Sequence, residues 1–270
     1  MLPRLADFFV LQPTRHAIPT PEKERREIAF AEGSFEVWTQ RVGALREPDL
    51  FVLKFVGTGG RAERASEHPA EVWSELASEI WTVNPPGYGG SSGRASLQNL
   101  AAVADAAFHE IERAARGKPL LVTGNSLGTV AALYLAAQNT CHGLLLRNPV
   151  PLRQLIAERH GWWNFGMSKL LAKQVPEPLC SIQNASLTRV PTLFVTSRRD
   201  RVVPPHFQDR VIDAHRGPKR MMRLTAADHA TAISDAEVPD YMTMLTWLRE
   251  TAFHHHRQQA AEHKLTDETV

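Results

Sequence analysis

Short, continuous apolar runs recur along this chain, and they constrain its fold more than any other feature. Such runs are typical of strands buried on both faces, as in a parallel sheet covered by helices. The predicted strands are residues 50–56, 80–83, 120–123, 143–146, 192–196 and 220–224, the last of them at an edge. Helices are predicted between them at residues 70–76, 97–116, 127–138, 207–214 and 238–253. This alternation predicts an α/β fold with a mostly parallel, twisted sheet and helices on both faces.

Other segments complete the predicted organisation. Residues 27–30 and 35–39 flank the sequence Ala-Glu-Gly-Ser and predict an antiparallel hairpin at one edge of the sheet. Residues 147–190 are longer than a simple crossover between two strands requires. Residues 1–253 are expected to form a single domain, and residues 254–270 a polar C-terminal tail that frays.

Charge and cysteine content narrow the classes of partner and compartment. Lys and Arg number 31 against 29 Asp and Glu, so the net charge of +2 gives no electrostatic reason to expect nucleic acid as a partner. Cys141 and Cys180 cannot build a disulfide framework and fit a reducing compartment, which favours the cytoplasm. No metal site is predicted, because the His254-His255-His256 run is interpreted as part of an exposed tail.

The N-terminus contains one apolar cluster, residues 8–11. It is too short for a secretory signal or for a membrane span, which needs about 20 apolar residues. Two interpretations stay open: a short helix that packs onto the domain, or weak contact with a membrane surface. No pattern in the sequence predicts an oligomeric state.

The sequence Gly124-Asn125-Ser126-Leu127-Gly128 carries the sharpest chemical signal. It follows a predicted strand and opens a predicted helix, which is the context of a Gly-x-Ser-x-Gly nucleophile elbow. In such a strained turn the serine hydroxyl projects above the sheet, and the flanking glycines let the strand and helix pass closely. The pattern predicts Ser126 as a nucleophile.

A serine hydroxyl is a weak nucleophile, so it needs a base and an acid that orients the base. Asp200 and His229 each follow a predicted strand, in the chain order Ser–Asp–His that this elbow requires. In open α/β sheets, ligands and catalytic groups gather past the carboxyl ends of the strands. We therefore predict His229 as the base and Asp200 as the acid, with Asp228 as the weaker alternative acid.

Acyl transfer also needs N–H donors aimed at the developing oxyanion. The backbone N–H of Leu127, at the start of the predicted helix, is one predicted donor. The other is the backbone N–H of Thr58 in the sequence Gly57-Thr58-Gly59-Gly60, where small residues let the backbone approach a ligand.

These stretches resemble the α/β-hydrolase family. The resemblance is narrower to the small esterase branch without a large lid, related to membrane-tethered hydrolases of lysolipids and palmitoyl thioesters. The resemblance spans about residues 50–230. Two positions of this chain depart from the family pattern. Val56 stands where the family usually has His, and Asn84 stands where it usually has an acidic or aromatic residue. The matching stretches are Phe55-Val56-Gly57-Thr58-Gly59, Asn84-Pro85-Pro86-Gly87-Tyr88-Gly89-Gly90-Ser91-Ser92-Gly93, the elbow with Thr129, Val190-Pro191-Thr192-Leu193-Phe194, Asp200 to Pro204, and His229.

The resemblance implies a single α/β-hydrolase domain in which residues 147–190 form a short cover segment over the substrate. It implies a serine hydrolase that cleaves a small-molecule carboxylic ester or thioester through an acyl-enzyme on Ser126, with no metal or organic cofactor. A cover of this length favours short or medium acyl chains. The candidate substrate-binding residues are the large aromatic side chains of the cover segment, Trp162, Trp163 and Phe165. The alternative interpretation is that these side chains are core contacts of a helix on the sheet.

Two other functions stay open as alternatives. One is a hydrolase fold without catalysis that serves as a binding module. The other is dinucleotide binding, since residues 57–62 satisfy Gly-x-Gly-x-x-Gly/Ala after a predicted strand. That fingerprint requires a carboxylate at the end of the next strand to bind the ribose, and Val83-Asn84 provides none. Nicotinamide binding is therefore the less favoured alternative.

Overall fold

A computed structural model of the chain describes residues 5–138, 141–159 and 167–267, and its core is one eight-stranded sheet. The strands are β1 Glu24–Phe30, β2 Gly33–Gly43, β3 Leu50–Phe55, β4 Ala77–Asn84, β5 Leu120–Asn125, β6 Gly143–Arg147, β7 Thr192–Ser197 and β8 Lys219–Leu224. Across the sheet they lie in the order β1-β2-β4-β3-β5-β6-β7-β8. Strand β2 pairs antiparallel with β1 and β4, and the other neighbours are parallel. The predicted parallel sheet, edge hairpin and edge strand are confirmed.

Helices connect the parallel strands. The helices in the described part of the chain are α1 Leu5–Val10, α2 Leu100–Ala115, α3 Gly128–Gln138, α4 Leu152–Arg159, α5 Met167–Ala172, α6 Ser181–Leu187, α7 Pro205–Ala214 and α8 Val238–Asp267. The helix predicted at residues 70–76 is only a 3₁₀ turn, Ala70–Trp73, because strand β4 already begins at Ala77. None of the described helices is both long enough and apolar enough to cross a membrane.

Apolar side chains cover the sheet on both sides, since neighbouring residues of a strand point to opposite faces. Val122 of β5 belongs to the core that includes Phe108 of α2. The preceding residue, Leu121, belongs to the core that includes Leu248 of α8. The prediction of helices on both faces is therefore confirmed.

A third apolar cluster lies past the carboxyl ends of the parallel strands. Leu127, which follows β5, is part of it together with Leu152 of α4 and Leu179. Residues 147–190 thus supply α4, α5 and α6 and pack beside the end of β5. Their role as a substrate cover stays a prediction, and Trp162, Trp163 and Phe165 lie outside the described residues.

The N-terminal helix α1 packs onto the domain, which confirms one of the two interpretations of this segment. Ala6 is buried, and the buried Asp7 carboxylate accepts hydrogen bonds from the Leu97 amide at 2.9 Å and the Ser96 hydroxyl at 3.0 Å. Phe8 and Phe9 are 79% and 67% exposed. Contact of these two rings with a membrane surface stays a prediction.

The C-terminal helix is longer than the sequence pattern predicts. Its predicted end at Phe253 is wrong, because α8 continues to Asp267. The apolar periodicity stops near Phe253, but no Gly or Pro follows within the helix to break it. His256 adds a tertiary contact: its ring packs on His142 with centroids 4.6 Å apart, and its Nε2 lies 2.8 Å from the Gly117 carbonyl oxygen.

Candidate active site

Ser126 lies in a strained turn between β5 and α3. Its φ of 51° is in the left-handed region, which residues other than glycine rarely adopt. The Ser126 amide donates to the Arg147 carbonyl at 2.9 Å, and the Thr129 hydroxyl donates to the Ser126 carbonyl at 2.7 Å. These two bonds fix the turn to the neighbouring strand β6 and to the first turn of α3.

Close backbone packing requires both glycines of the elbow. A Cβ added to Gly128 would lie 2.1 Å from the carbonyl oxygen of Phe55. A Cβ added to Gly124 would lie 2.7 Å from the carbonyl oxygen of Gly128. Because these neighbours are backbone atoms, no side-chain rotation could relieve either contact. The strand–turn–helix context predicted for the elbow is present.

The structure brings Ser126, Asp200 and His229 together from three separate loops. His229 Nε2 lies 3.0 Å from Ser126 Oγ, and His229 Nδ1 lies 2.7 Å from Asp200 Oδ2. The three residues follow β5, β7 and β8, whose carboxyl ends share one edge of the sheet. Both distances allow hydrogen bonds, so the imidazole can receive the serine proton while the carboxylate orients it.

Asp200 is fixed by the loop in which it lies. Its side chain is buried, and Oδ1 accepts hydrogen bonds from the backbone amides of Val202 and Val203, both at 2.8 Å. The Gln208 side-chain amide donates to Oδ2 at 3.1 Å. A carboxylate held by three donors besides the imidazole has one preferred orientation, which directs Oδ2 to His229.

Asp228, the alternative acid, faces its own turn. Its Oδ1 accepts hydrogen bonds from the Ala230 amide at 3.0 Å and from the amide and hydroxyl of Thr231 at 2.9 and 2.6 Å. The hydroxyl of Thr231, followed by these amides, lowers the pKa of the Asp228 carboxyl. The structure therefore places Asp200, and not Asp228, in contact with the imidazole.

The sequence reasoning missed two polar residues that support the site. Gln208 on α7 contacts Asp200, and Asn148 donates from Nδ2 to the His229 carbonyl oxygen at 3.0 Å. Asn148 is buried and has a φ of 49°, a conformation that Asn adopts more readily than most residues. An Asn just after β6 was the available signal, but its contact partner is far away in sequence.

The two predicted oxyanion donors flank the serine. Leu127 directly follows Ser126, and a Cβ added to Gly57, the neighbour of Thr58, would lie 3.5 Å from the Ser126 Cβ. The Thr58 carbonyl accepts a hydrogen bond from the Tyr88 hydroxyl at 2.7 Å. The Thr58 hydroxyl donates a hydrogen bond to the Val10 carbonyl. Within the described ranges, neither the Thr58 nor the Leu127 amide donates to a protein acceptor. Both amides are thus available to a substrate, and their use in an oxyanion hole stays a prediction.

The loop after β3 lacks the context of a dinucleotide fingerprint. The glycine-rich residues 57–60 lead into a three-residue 3₁₀ turn, Ala62–Arg64, instead of a crossover helix. A Rossmann loop holds the pyrophosphate at the N-terminus of such a helix. The structure therefore does not support the dinucleotide alternative.

An apolar pocket lies beside the elbow. Its wall comes from the N-terminal segment, the loop after β4, α2 and the elbow, through Leu11, Tyr88, Leu100 and Leu127 among others. Val56 and Gly57, which belong to the loop after β3, also line this pocket. Apart from Leu127 and the loop that contains Gly57, these contributions to the pocket were not predicted from the sequence.

Comparisons with known proteins include relatives by sequence. No family model matches the chain. It is 31% identical over 165 residues to the uncharacterized proteins MT2364 and Rv2307c, from two strains of Mycobacterium tuberculosis. The alignment covers 60% of this chain and 56% of each relative, so the chain spans little more than half the length of these curated relatives.

Solved structures show the shared architecture. A structure of the Pyrococcus furiosus esterase Pf2001 matches with a TM-score of 0.65 and 14% identity, over 90% of this chain and 99% of that one. The Pyrococcus horikoshii acylaminoacyl peptidase matches with a TM-score of 0.60 and 14% identity, over 86% of this chain and 41% of that one. Identities this low establish a common fold and leave the substrate open. The chain has the α/β-hydrolase fold.

Proposed function

We propose that the protein is a serine hydrolase that cleaves a carboxylic ester or thioester through an acyl-enzyme on Ser126. The observation that carries the proposal is the hydrogen-bonded series Asp200–His229–Ser126, with distances of 2.7 and 3.0 Å, built on a strained elbow. The solved neighbours include an esterase and an acylaminoacyl peptidase, which are compatible with acyl transfer on this fold.

In the first half of the proposed reaction, His229 Nε2 takes the proton of Ser126 as Oγ attacks the carbonyl carbon. Asp200 stabilises the imidazolium that forms, without itself becoming protonated. The amides of Leu127 and Thr58 donate to the oxyanion of the tetrahedral intermediate, and each such donor contributes about 3–4 kcal/mol to catalysis in measured cases. Collapse of the intermediate expels the alcohol or thiol, which receives its proton from His229.

In the second half, water attacks the acyl-enzyme. His229 removes a proton from the water, and the same two amides receive the second oxyanion. Release of the carboxylic acid returns the proton to Ser126. Every step uses groups of this chain and water.

The apolar pocket beside the elbow is the proposed site of the acyl chain. It opens next to Leu127, the proposed oxyanion donor, and its other walls are the apolar or aromatic side chains of Leu11, Tyr88 and Leu100. Ligand pockets are lined predominantly by such side chains. We propose a short or medium acyl chain, the same length range that the size of residues 147–190 favours.

The nucleophile is tested by replacing Ser126 with Ala. Ser126→Ala should lower kcat on p-nitrophenyl butyrate by about 10⁴- to 10⁶-fold, because the variant can form no acyl-enzyme. A graded series of p-nitrophenyl esters and acyl thioesters would identify the preferred chain length and leaving group. Ser74→Ala is the matched control, because Ser74 is exposed and distant from the elbow in sequence.

Retention of turnover by Ser126→Ala would contradict the assignment of the nucleophile. Absence of turnover in the native protein across the whole substrate series would favour the non-catalytic binding module instead.

A further inference from the structure

A second depression, here named the basic groove, lies on the other side of the loop after β3. It is lined by residues on the carboxyl ends of β3, β5 and β6, by Tyr241 of α8 and by His68. Lys54, Asn125 and Arg147 are on the same face of the sheet, since Lys54 pairs with Thr123 in β5 and Asn125 pairs with Arg147 in β6.

The groove adjoins the nucleophile. Asn125, which lines it, directly precedes Ser126, and the Arg147 carbonyl accepts the Ser126 amide hydrogen bond at 2.9 Å. Val56 and Gly57 line both the basic groove and the apolar pocket. The two depressions therefore meet at the loop beside Ser126, where the proposed function places the ester.

The charge of the groove is one-sided. Its lining includes four cationic side chains, Lys54, Arg61, Arg64 and Arg147, and no carboxylate among the described residues. Arg61 is ion-paired with the buried Glu63. In the part of the chain that the structure describes, the other three make no ion pair with a carboxylate.

Arg147 keeps part of its hydrogen-bonding capacity unused. One Nη2 proton is donated to the Thr231 carbonyl, while the buried Nε has no partner among the described residues. Burial lowers the pKa of the Arg147 guanidinium, against the opposing effects of Tyr241 and Asp200. Partial burial of a guanidinium without a carboxylate partner has a cost, and an anion beside it would offset that cost.

Lys54 has a similar environment. Its ammonium group donates to the carbonyl oxygens of Ser66 and His68, which are neutral acceptors. Burial lowers its pKa to about 8. Glu67 and Glu71, whose charges act on Lys54, are bonded instead to Gln40 at 2.6 Å and to His68 at 3.1 Å.

We infer that the basic groove binds an anionic group, a phosphate or a carboxylate, on the leaving-group side of the substrate, with Arg147 and Lys54 as its principal donors. This inference rests on the proposed function, in which the acyl chain occupies the apolar pocket. A planar guanidinium can bind two oxygens of such an anion, and an ammonium group adds a point charge. The substrate class is an ester or thioester whose alcohol or thiol part carries a negative charge.

Three butyrate esters with related leaving groups test the inference: 4-butyryloxybenzoate, its neutral methyl ester and 4-butyryloxyphenyl phosphate. For each protein we would measure the ratio of kcat/KM for each anionic ester to that for the neutral ester. Comparing this ratio between variants cancels the intrinsic reactivity of the esters. Active enzyme would be counted by titration of Ser126 with a fluorophosphonate.

Arg147→Met and Lys54→Met should each lower this ratio by about 10- to 100-fold, the loss typical of one charge-assisted hydrogen bond. Arg147→Lys should retain part of the preference. Arg113→Met is the control, because this arginine is exposed on α2 and should leave the ratio unchanged. A drop for the phosphate alone, or for the carboxylate alone, supports the inference and identifies the anion.

An unchanged ratio in both Met variants, with Ser126 still titrated, would overturn the inference and leave the proposed function intact. An equal loss on all three esters would also overturn it, because Arg147 would then act only by holding the His229 loop through Thr231. Failure of the native protein to react with the fluorophosphonate would contradict the proposed function itself.

Discussion

At the level of single residues, the Asp200 carboxylate is held in its orientation by donors other than His229. Two backbone amides hold Oδ1, and the Gln208 amide supports Oδ2 from α7. Asp228 has its own three donors, all within its turn. Local hydrogen bonds therefore decide which of the two carboxylates contacts His229 in the proposed site.

The Asp200→Asn substitution tests this difference. An asparagine amide can donate to His229 Nδ1, which would place the imidazole proton on Nε2 and prevent it from accepting the Ser126 proton. We expect kcat to fall by about 10³- to 10⁴-fold, as in other triads with this change. Asp228→Asn should cause a much smaller loss in the same assay. Equal losses, or a larger loss for Asp228→Asn, would show that Asp200 is not the orienting acid.

At the scale of elements, the elbow depends on the close passage of α3 over β3. In Gly128→Ala the new methyl group would meet the Phe55 carbonyl oxygen at 2.1 Å. Overpacking of this kind typically costs about 1–3 kcal/mol and shifts the backbone. We therefore expect a lower free energy of unfolding together with a loss of fluorophosphonate labelling of Ser126.

Gly117→Ala separates the loss of stability from the loss of the site. Gly117 has a φ of 78° with no atom within 4 Å of an added Cβ, so the substitution should cost only about 1–2 kcal/mol of backbone strain. Full labelling is expected in this control. Full labelling of Gly128→Ala as well would show that the elbow tolerates displacement of α3.

The junction of α7, β7 and β8 contains a buried histidine that should make stability depend on pH. His215 Nδ1 accepts a hydrogen bond from the Gly217 amide at 3.0 Å, so its Nε2 carries the proton toward the Thr192 hydroxyl. Burial, with the charges of Lys219 and Arg189, lowers the pKa of His215 to about 4.

Because this pKa lies below the ordinary 6.5, the unfolded chain binds more protons between pH 6.5 and 4. The stabilisation is complete above pH 6.5 and is lost as the pH falls toward 4, by up to about 3 kcal/mol. Urea unfolding at several pH values above 4.5 should show this decline, and His215→Gln should reduce its slope. An unchanged slope in the variant would contradict the assigned neutral state.

At the scale of the whole molecule, local patterns predicted the sheet and the elbow because both depend on short-range rules. Apolar runs locate buried strands, and Gly-x-Ser-x-Gly after a strand locates a strained turn. The end of α8 was predicted wrongly because apolar periodicity shows which residues are buried and not where a helix ends. The His256 contact that accompanies the extension joins residues far apart in sequence.

The two depressions could not be predicted, since they are assembled by tertiary packing. Leu11 and Leu100 meet only when α1 docks on the domain, and Lys54 and Arg147 face one groove only through the register of β3, β5 and β6. Strand order and register depend on long-range pairing, which no single run encodes.

The proposed function requires Ser126 to be the nucleophile of an acyl-transfer enzyme. The most direct measurement is mass spectrometry of the native protein after reaction with a fluorophosphonate, followed by proteolysis to locate the adduct. The proposed function predicts one adduct, on the peptide containing Ser126, and none on the Ser126→Ala protein. No adduct on the native protein, or an adduct retained on Ser126→Ala at the same level, would contradict it.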